Sequence, residues 1–451
     1  MTAVKNDKKT IWAWAMFDWA NQAYNMVITS TIFPAYFVGI TSANNPDKDV
    51  VSFFGHKYVN TVLSTYVLGL SYLIIVLLLP ILTSIADYKG HKKLYLQMFT
   101  WLGSLACAGL YFFYANGDKQ PFHLYNFEWG MICFCLASVG YCGGFVFYNS
   151  YLPQIATEDQ QDAVSAKGFI YGFAGSIVVQ LLCLIPVMGH DFFHITEDYA
   201  ARISFLIVGA WWIGFSFIAF YLLPKGVPNA GSHSYNVFTG GFKELAKVWK
   251  KVKELPLLKR FLPAFFFYSV GVQTIMLVAA NFGAKELKIP EDNLITVILT
   301  IQVVAIIGAA MTARLSEKFG NVKTLTGIVL FWCLICASVY FVTTAAEFYI
   351  AAGFVGIVMG GVQSLSRSTY SKFIPQNIPD TASYFSFYDV TEKLSIVVGL
   401  FTFGYVESRS DTMRNSALVL DGYFVVGVTL LFLLVVFQSK AKSAKAEIGV
   451  V

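Results

Sequence analysis

Twelve apolar runs, each long enough to cross a lipid bilayer, follow one another along a chain of 451 residues. They lie near 12–37, 59–86, 94–115, 129–152, 168–189, 203–224, 261–284, 293–313, 324–346, 348–366, 383–406 and 418–439. A helix of roughly 20 apolar residues spans the hydrocarbon layer, so these runs read as spanning helices. Barrel strands are excluded, because a lipid-facing strand alternates in polarity and these runs are continuously apolar. Composition agrees: 56% of the residues are hydrophobic and 13% charged, against about a quarter charged in a soluble domain. The expectation is an all-α membrane protein of twelve transmembrane helices.

The first run is long, and no small-residue cleavage site is followed by a soluble body, so it is expected to be the first spanning helix. Loop charges set the orientation, since Lys and Arg concentrate on the cytoplasmic side. With both termini inside, twenty-three basic residues face the cytoplasm and eight face outward. That excess predicts an even number of crossings in a cell membrane, expected to be a bacterial inner membrane. The net charge of +5 then reflects topology and gives no reason to invoke nucleic acid. All seven cysteines fall inside apolar runs, including Cys333-x-x-Cys336, where small packing residues are the simpler reading than a redox or zinc pair. The six histidines lie in loops or tails. No metal or cofactor is expected.

Landmarks recur at equivalent places, as in transporters built from internal repeats. After the second run stands Asp87-Tyr-Lys-Gly90-His-Lys-Lys93, and after the eighth Glu317-Lys-Phe-Gly320-Asn-Val-Lys323. The fourth run ends in Tyr148-Asn-Ser-Tyr-Leu-Pro153-Gln154 and the tenth in Tyr370-Ser-Lys-Phe-Ile-Pro375-Gln376. Two six-helix units in parallel order are therefore expected, residues 1–224 and 261–451, joined by a polar linker at 225–260. In the linker, Phe238, Phe242, Leu245, Trp249, Val252 and Leu255 fall near one face of a helix with lysines elsewhere. An amphipathic helix lying on the anionic cytoplasmic leaflet is the expected form.

This arrangement, two six-helix bundles with an acid-x-x-Gly-x-x-Lys turn after the second helix, resembles the major facilitator superfamily. That superfamily's loop usually reads Gly-x-x-x-Asp-Arg-x-Gly-Arg-Arg. Asp87, Gly90, Lys92 and Lys93 match it, whereas Thr83, Tyr88 and His91 depart from it. A more specific likeness lies in Phe17-Asp18-Trp19-Ala20-Asn21-Gln22-Ala23-Tyr24 and Phe33-Pro34-Ala35-Tyr36-Phe37. These are similar to the opening of the vacuole-effluxer family, also called the unknown major facilitator family. Gly360-Gly361-Val-Gln363-Ser-Leu-Ser366-Arg367-Ser368 and Phe385-Ser-Phe-Tyr388-Asp389 resemble further segments of that family, with Ser386 in place of a usual glycine. The resemblance implies a secondary transporter working by alternating access and, from its fungal members, export of amino acids. Sugars or other neutral metabolites are the alternative cargo, and a receptor or scaffold of the same fold is the reading from another class.

Charges inside a membrane cost roughly 2.5 to 3.5 kcal/mol each on insertion scales and are functional candidates for that reason. Asp18 in the first run and Asp389, Glu392 and Lys393 in the eleventh stand out. The trio shares roughly one side of its helix, about 9–15 Å from its cytoplasmic start at 1.5 Å per residue. Such groups could exchange a proton or form an ion pair that breaks in one state, and Asp389 with Lys393 could instead pair locally. Asp87 occupies the place where the superfamily docks an acid against the eleventh helix. Arg367, at a helix end, could pair with an acid across a gate, and snorkelling to the headgroups is the slightly favoured reading. Substrate contacts are expected from Asn21, Gln22, Tyr24, Asn25, Asn149, Tyr268, Gln273 and Gln363, neutral groups on helices that line the cavity in this superfamily. Interhelical hydrogen bonding would use the same residue types. No phosphate-cradling loop or soluble nucleotide domain is present to drive a pump, and no interfacial acid or histidine cluster points to an enzyme. The expected partners are a small polar solute, protons and the lipid bilayer, with the chain acting as a monomer.

Overall fold

The first long helix, α1 (Lys8–Ser42), changes pitch halfway along. Its ends are α-helical and its middle, Tyr24–Ile32, is π-helical. Just past this segment, Pro34 has no N–H for the carbonyl one turn earlier and its ring presses on it. Within the segment the Ser30 and Thr31 hydroxyls donate to the carbonyls of Asn25 and Met26, at 2.9 and 2.8 Å, five residues back. Insertions of this kind widen a helix and are common at functional sites.

The computed structural model describes residues 4–42, 45, 49–116, 123–226, 246, 248–376, 378, 380–410 and 412–447. After α1 come α2 (Asn60–Lys89), α3 (Lys92–Gly109), α4 (Phe127–Asn149), α5 (Gln161–Met188) and α6 (Glu197–Leu222). Then follow α7 (Pro256–Leu287), α8 (Glu291–Phe319), α9 (Asn321–Val339), α10 (Ala345–Phe373), α11 (Thr381–Ser410) and α12 (Met413–Glu447). Among the described residues, ten helices are long and apolar enough to cross a membrane. The other two long helices are α3, which opens on Lys92 and Lys93, and α11, which carries Asp389, Glu392 and Lys393.

Within the first six helices, α1 packs on α5 and α6, α3 on α4 and α6, and α2 on α4. Among the last six, α7 packs on α11 and α12, α8 on α10, and α9 on α10 and α12. Contacts between the two sets run mainly along α2 with α11 and along α5 with α8 and α10. Asn6 bonds the turn after α4, and Arg260 at the start of α7 lies 3.7 Å from the ring of Phe437 near the end of α12. The start of α1 and the end of α12 therefore reach one face, called here the terminal face. Two short hairpins, Val50–Phe53 with His56–Val59 and Tyr114–Ala115 with Leu124–Tyr125, sit at the far face.

The linker helix expected on the membrane surface lies only partly within the described residues. Phe238, Phe242 and Leu245 lie outside the described residues, but Val248 and Val252 are buried and Trp249 stacks on Phe387 of α11 at 5.8 Å. Lys251 adds an ion pair to Asp380 at 3.6 Å. The described part of the apolar stripe thus has a protein partner and covers the terminal face beside α11.

Candidate functional site

A cavity of about 410 Å³ lies between the two sets of helices. Its wall runs from Arg367 near the terminal face to Pro34, Val38, Ala284 and Leu294 toward the far face. The widened turns of α1 contribute Asn25, Met26, Thr29, Ser30 and Thr31. Of the eight residues expected to touch substrate, Gln22, Asn25, Tyr268, Gln273 and Gln363 line this space. Gln22 accepts a hydrogen bond from the Tyr141 hydroxyl at 2.7 Å, and Gln273 donates to Glu392 at 2.7 Å. Tyr268 shares a 2.7 Å bond with Ser366, and Gln363 approaches the Met276 sulfur at 3.5 Å.

The other three are buried behind the wall. Tyr24 bonds Ser138 at 3.0 Å and stacks on Trp212, so it joins helices together. Asn149 accepts from Arg367 at 3.2 Å. Asn21 is fully buried, and neither polar atom of its side chain has a partner among the described residues.

Toward the terminal face the cavity ends in polar locks that cross from one set of helices to the other. Arg367 does not snorkel: it is 1% exposed. Its Nη1 lies 3.3 Å from Asp18 Oδ2, its Nε donates to the Ser165 hydroxyl at 2.9 Å, and its Nη2 donates to the Ser165 carbonyl at 2.7 Å. The rings of Trp14 and Phe169 lie 4.8 and 4.2 Å from the guanidinium. Headgroups cannot outcompete a site that supplies a counter-charge, three oxygen acceptors and aromatic faces together. Asp18 also accepts from the Tyr148 hydroxyl at 2.6 Å. Gly168 makes the crossing possible, since a Cβ there would stand 2.7–2.8 Å from Asp18, Tyr148 and Arg367 at once.

A second lock joins α2 to α11. Asp87 accepts from the Ser383 amide at 2.8 Å and from the Ser383 hydroxyl at 2.7 Å, while Lys92 lies 3.2 Å away. The carboxylate thus sits at the N-terminal end of α11, where free N–H groups favour an anion. Thr381 accepts from Lys92 and, at 3.1 Å, from Gln154. The third lock joins α5 to α8, α9 and α10: Asp162 accepts from Lys372 at 2.7 Å, Asn321 at 2.6 Å and Ser316 at 3.0 Å. Gln161 donates to Gln376 at 3.2 Å.

In α11, Lys393 pairs with Glu392 at 3.0 Å rather than with Asp389. Asp389 is 1% exposed, and neither carboxylate oxygen has a partner among the described residues. Glu392 and Lys393 line the cavity, whereas Asp18, Asp87 and Asp389 lie outside its wall. Sequence reasoning missed Asp162, Lys372 and Lys92 as lock residues. Asp162 did leave a trace, as an acid six residues before the fifth apolar run.

Solved structures with similar chain paths are major facilitator superfamily members. The human organic anion transporter MFSD10 (TETRAN) superposes with a TM-score of 0.70 at 8% identity, covering 95% of this chain and 100% of that one. The transporter FucP in the outward conformation gives 0.64 at 14% identity, covering 94% and 97%. Helix arrangement and interhelical cavity together define a multi-pass membrane protein of the major facilitator fold. The family model described as "Vacuole effluxer Atg22 like" matches residues 6–445, and the chain belongs to that family. Its relatives include the uncharacterized MFS-type transporter YxiO of Bacillus subtilis, 27% identical over 432 residues with 93% of each chain covered. Autophagy-related protein 22 of Kluyveromyces lactis is 25% identical over 477 residues, covering 93% of this chain and 92% of that one.

Proposed function

We propose that the chain is a secondary transporter, not an enzyme, which carries small polar solutes, amino acids first, across a cell membrane by alternating access. In this reading twelve helices span the bilayer, residues 1–224 and 261–451 move as two bodies, and both termini are cytoplasmic. The observation that carries it is the cavity, bounded toward the terminal face by three locks and reaching residues of the far face. With the terminal face cytoplasmic, this is an outward-facing state. Efflux is supported by membership in a family whose model is named for a vacuole effluxer, and amino acids are the cargo that the resemblance to fungal members implies. The amides of Gln22, Asn25, Gln273 and Gln363 would serve a sugar equally, which is the second reading.

Proton coupling is assigned to Asp389, because holding an unpartnered carboxylate as an anion at such a site is costly. The charged and titratable groups around it are Arg367, Glu392, Lys393, Tyr370, Tyr388 and, from α4, Cys142. The experiment is flux of labelled amino acids and sugars in proteoliposomes, with and without a pH gradient. Amino-acid flux that responds to the gradient, and loses that response in Asp389→Asn, supports the reading. Flux of sugars alone selects the second reading, and no flux of any solute leaves a receptor or scaffold.

A further inference from the structure

Among the described residues, three formally charged side chains line the cavity: Arg367, Glu392 and Lys393. The charge of Arg367 is already committed to Asp18, Asn149 and Ser165. Glu392 and Lys393 differ. Their side chains retain 13% and 9% exposure, against 2% and 1% for Asp18 and Arg367. They are neighbours in sequence on a helix, and adjacent helical positions do not face each other, so each side chain must bend to make the 3.0 Å contact. Lys393 has three N–H donors; besides Glu392, the Tyr72 ring lies 5.7 Å away. Glu392 is steadied from its other oxygen by Gln273 at 2.7 Å. The pair is thus accessible, held together by a single contact, and set on the wall of the space where cargo must sit.

We propose that Glu392 and Lys393 are the recognition site for the two charged ends of a zwitterion. The ligand's ammonium takes the place of Lys393 on Glu392, and its carboxylate takes the place of Glu392 on Lys393. Two charge-assisted bonds replace one, and neither protein charge is left unpaired while the ligand is bound. Gln273 keeps the Glu392 carboxylate aimed into the cavity throughout. Met26, Phe145, Phe265, Met276 and Tyr388 on the same wall receive the rest of the ligand, which is therefore uncharged and largely apolar. This deepens the transport reading above and rests on it.

The test is ligand binding by the purified full chain, with L-norleucine as the zwitterion, pentylamine lacking its carboxylate and hexanoate lacking its ammonium. The parent is expected to bind norleucine and to bind each one-ended analogue at least roughly tenfold more weakly, about one charge-assisted bond's worth. In Glu392→Gln with Lys393→Met the unliganded melting temperature should stay close to the parent's, since no buried charge is stranded. Norleucine binding should fall by roughly a hundredfold. Retention of norleucine binding within threefold, or analogues binding the parent as tightly as norleucine, overturns the proposal. If the double variant does not fold, Glu392→Gln alone decides. It frees Lys393 for an anion, so hexanoate should bind at least as tightly as norleucine, and a variant that still ignores hexanoate refutes the assignment. A parent that moves no amino acid in proteoliposomes contradicts the transport reading itself. A parent that transports norleucine while the charge-free variant binds it unchanged contradicts only the recognition site.

Discussion

The locks at α2–α11 and at α5–α8 occupy corresponding places in the two sets of helices, yet they hold their acids differently. Asp87 stands at the end of α2 and takes the Ser383 amide and hydroxyl of α11, with Lys92 beside it from its own set of helices. Asp162 stands in the first turn of α5 and takes Lys372, Asn321 and Ser316 from the other set. One lock is an acid on a helix end, and the other is an ion pair across the interface. Architecture is repeated while the charge has moved to the opposite partner. A helix N-terminus binds an anion partly through its backbone N–H groups, whereas the interface acid Asp162 draws every bond from side chains, Lys372, Asn321 and Ser316.

Substitutions should separate the two. Lys372→Met leaves the nearly buried Asp162 carboxylate with only the neutral partners Asn321 and Ser316, and losing the charged partner of such a pair costs up to about 3–5 kcal/mol. Thermal unfolding should show a large loss, recovered for the most part when Asp162→Asn is added. Lys92→Met leaves Asp87 its Ser383 bonds, so a smaller loss of about 1–3 kcal/mol is expected. An equal loss in both variants would show that the α11 N-terminus contributes little. Glu317→Gln should change stability by less than about 0.5 kcal/mol, because that side chain is exposed, although the sequence repeat places it opposite Asp87.

Glu317 also marks where sequence reasoning stopped. The repeated acid-x-x-Gly-x-x-Lys turn located both tight turns, at Gly90 and Gly320, each with positive φ. It could not show that Ser316, one residue earlier, faces the partner helix in the second. Apolar runs were enough to find the helices, since lipid requires every backbone group to be satisfied within its own segment. Their ends were less legible: the third run looked apolar to 115, but α3 stops at Gly109 and the aromatic stretch after it turns into a hairpin. The pitch change in α1 needed the bonds of Ser30 and Thr31, which composition does not reveal. Arg367 looked like a headgroup anchor because its partner, Asp18, is 349 positions away in sequence. Asp18, Glu392 and Lys393 were conspicuous for the opposite reason, as charges within otherwise apolar runs.

The proposed outward-facing state requires these locks to hold the terminal face closed while the far side is open. The direct measurement is the distance distribution between spin labels at the exposed positions Lys89 and Lys318, in the parent and in a variant combining Lys92→Met with Lys372→Met. The account predicts a dominant short distance in the parent and a second, longer one that grows in the variant as the face opens. A single distance unchanged by the substitutions would show that the locks do not govern opening, and would contradict it.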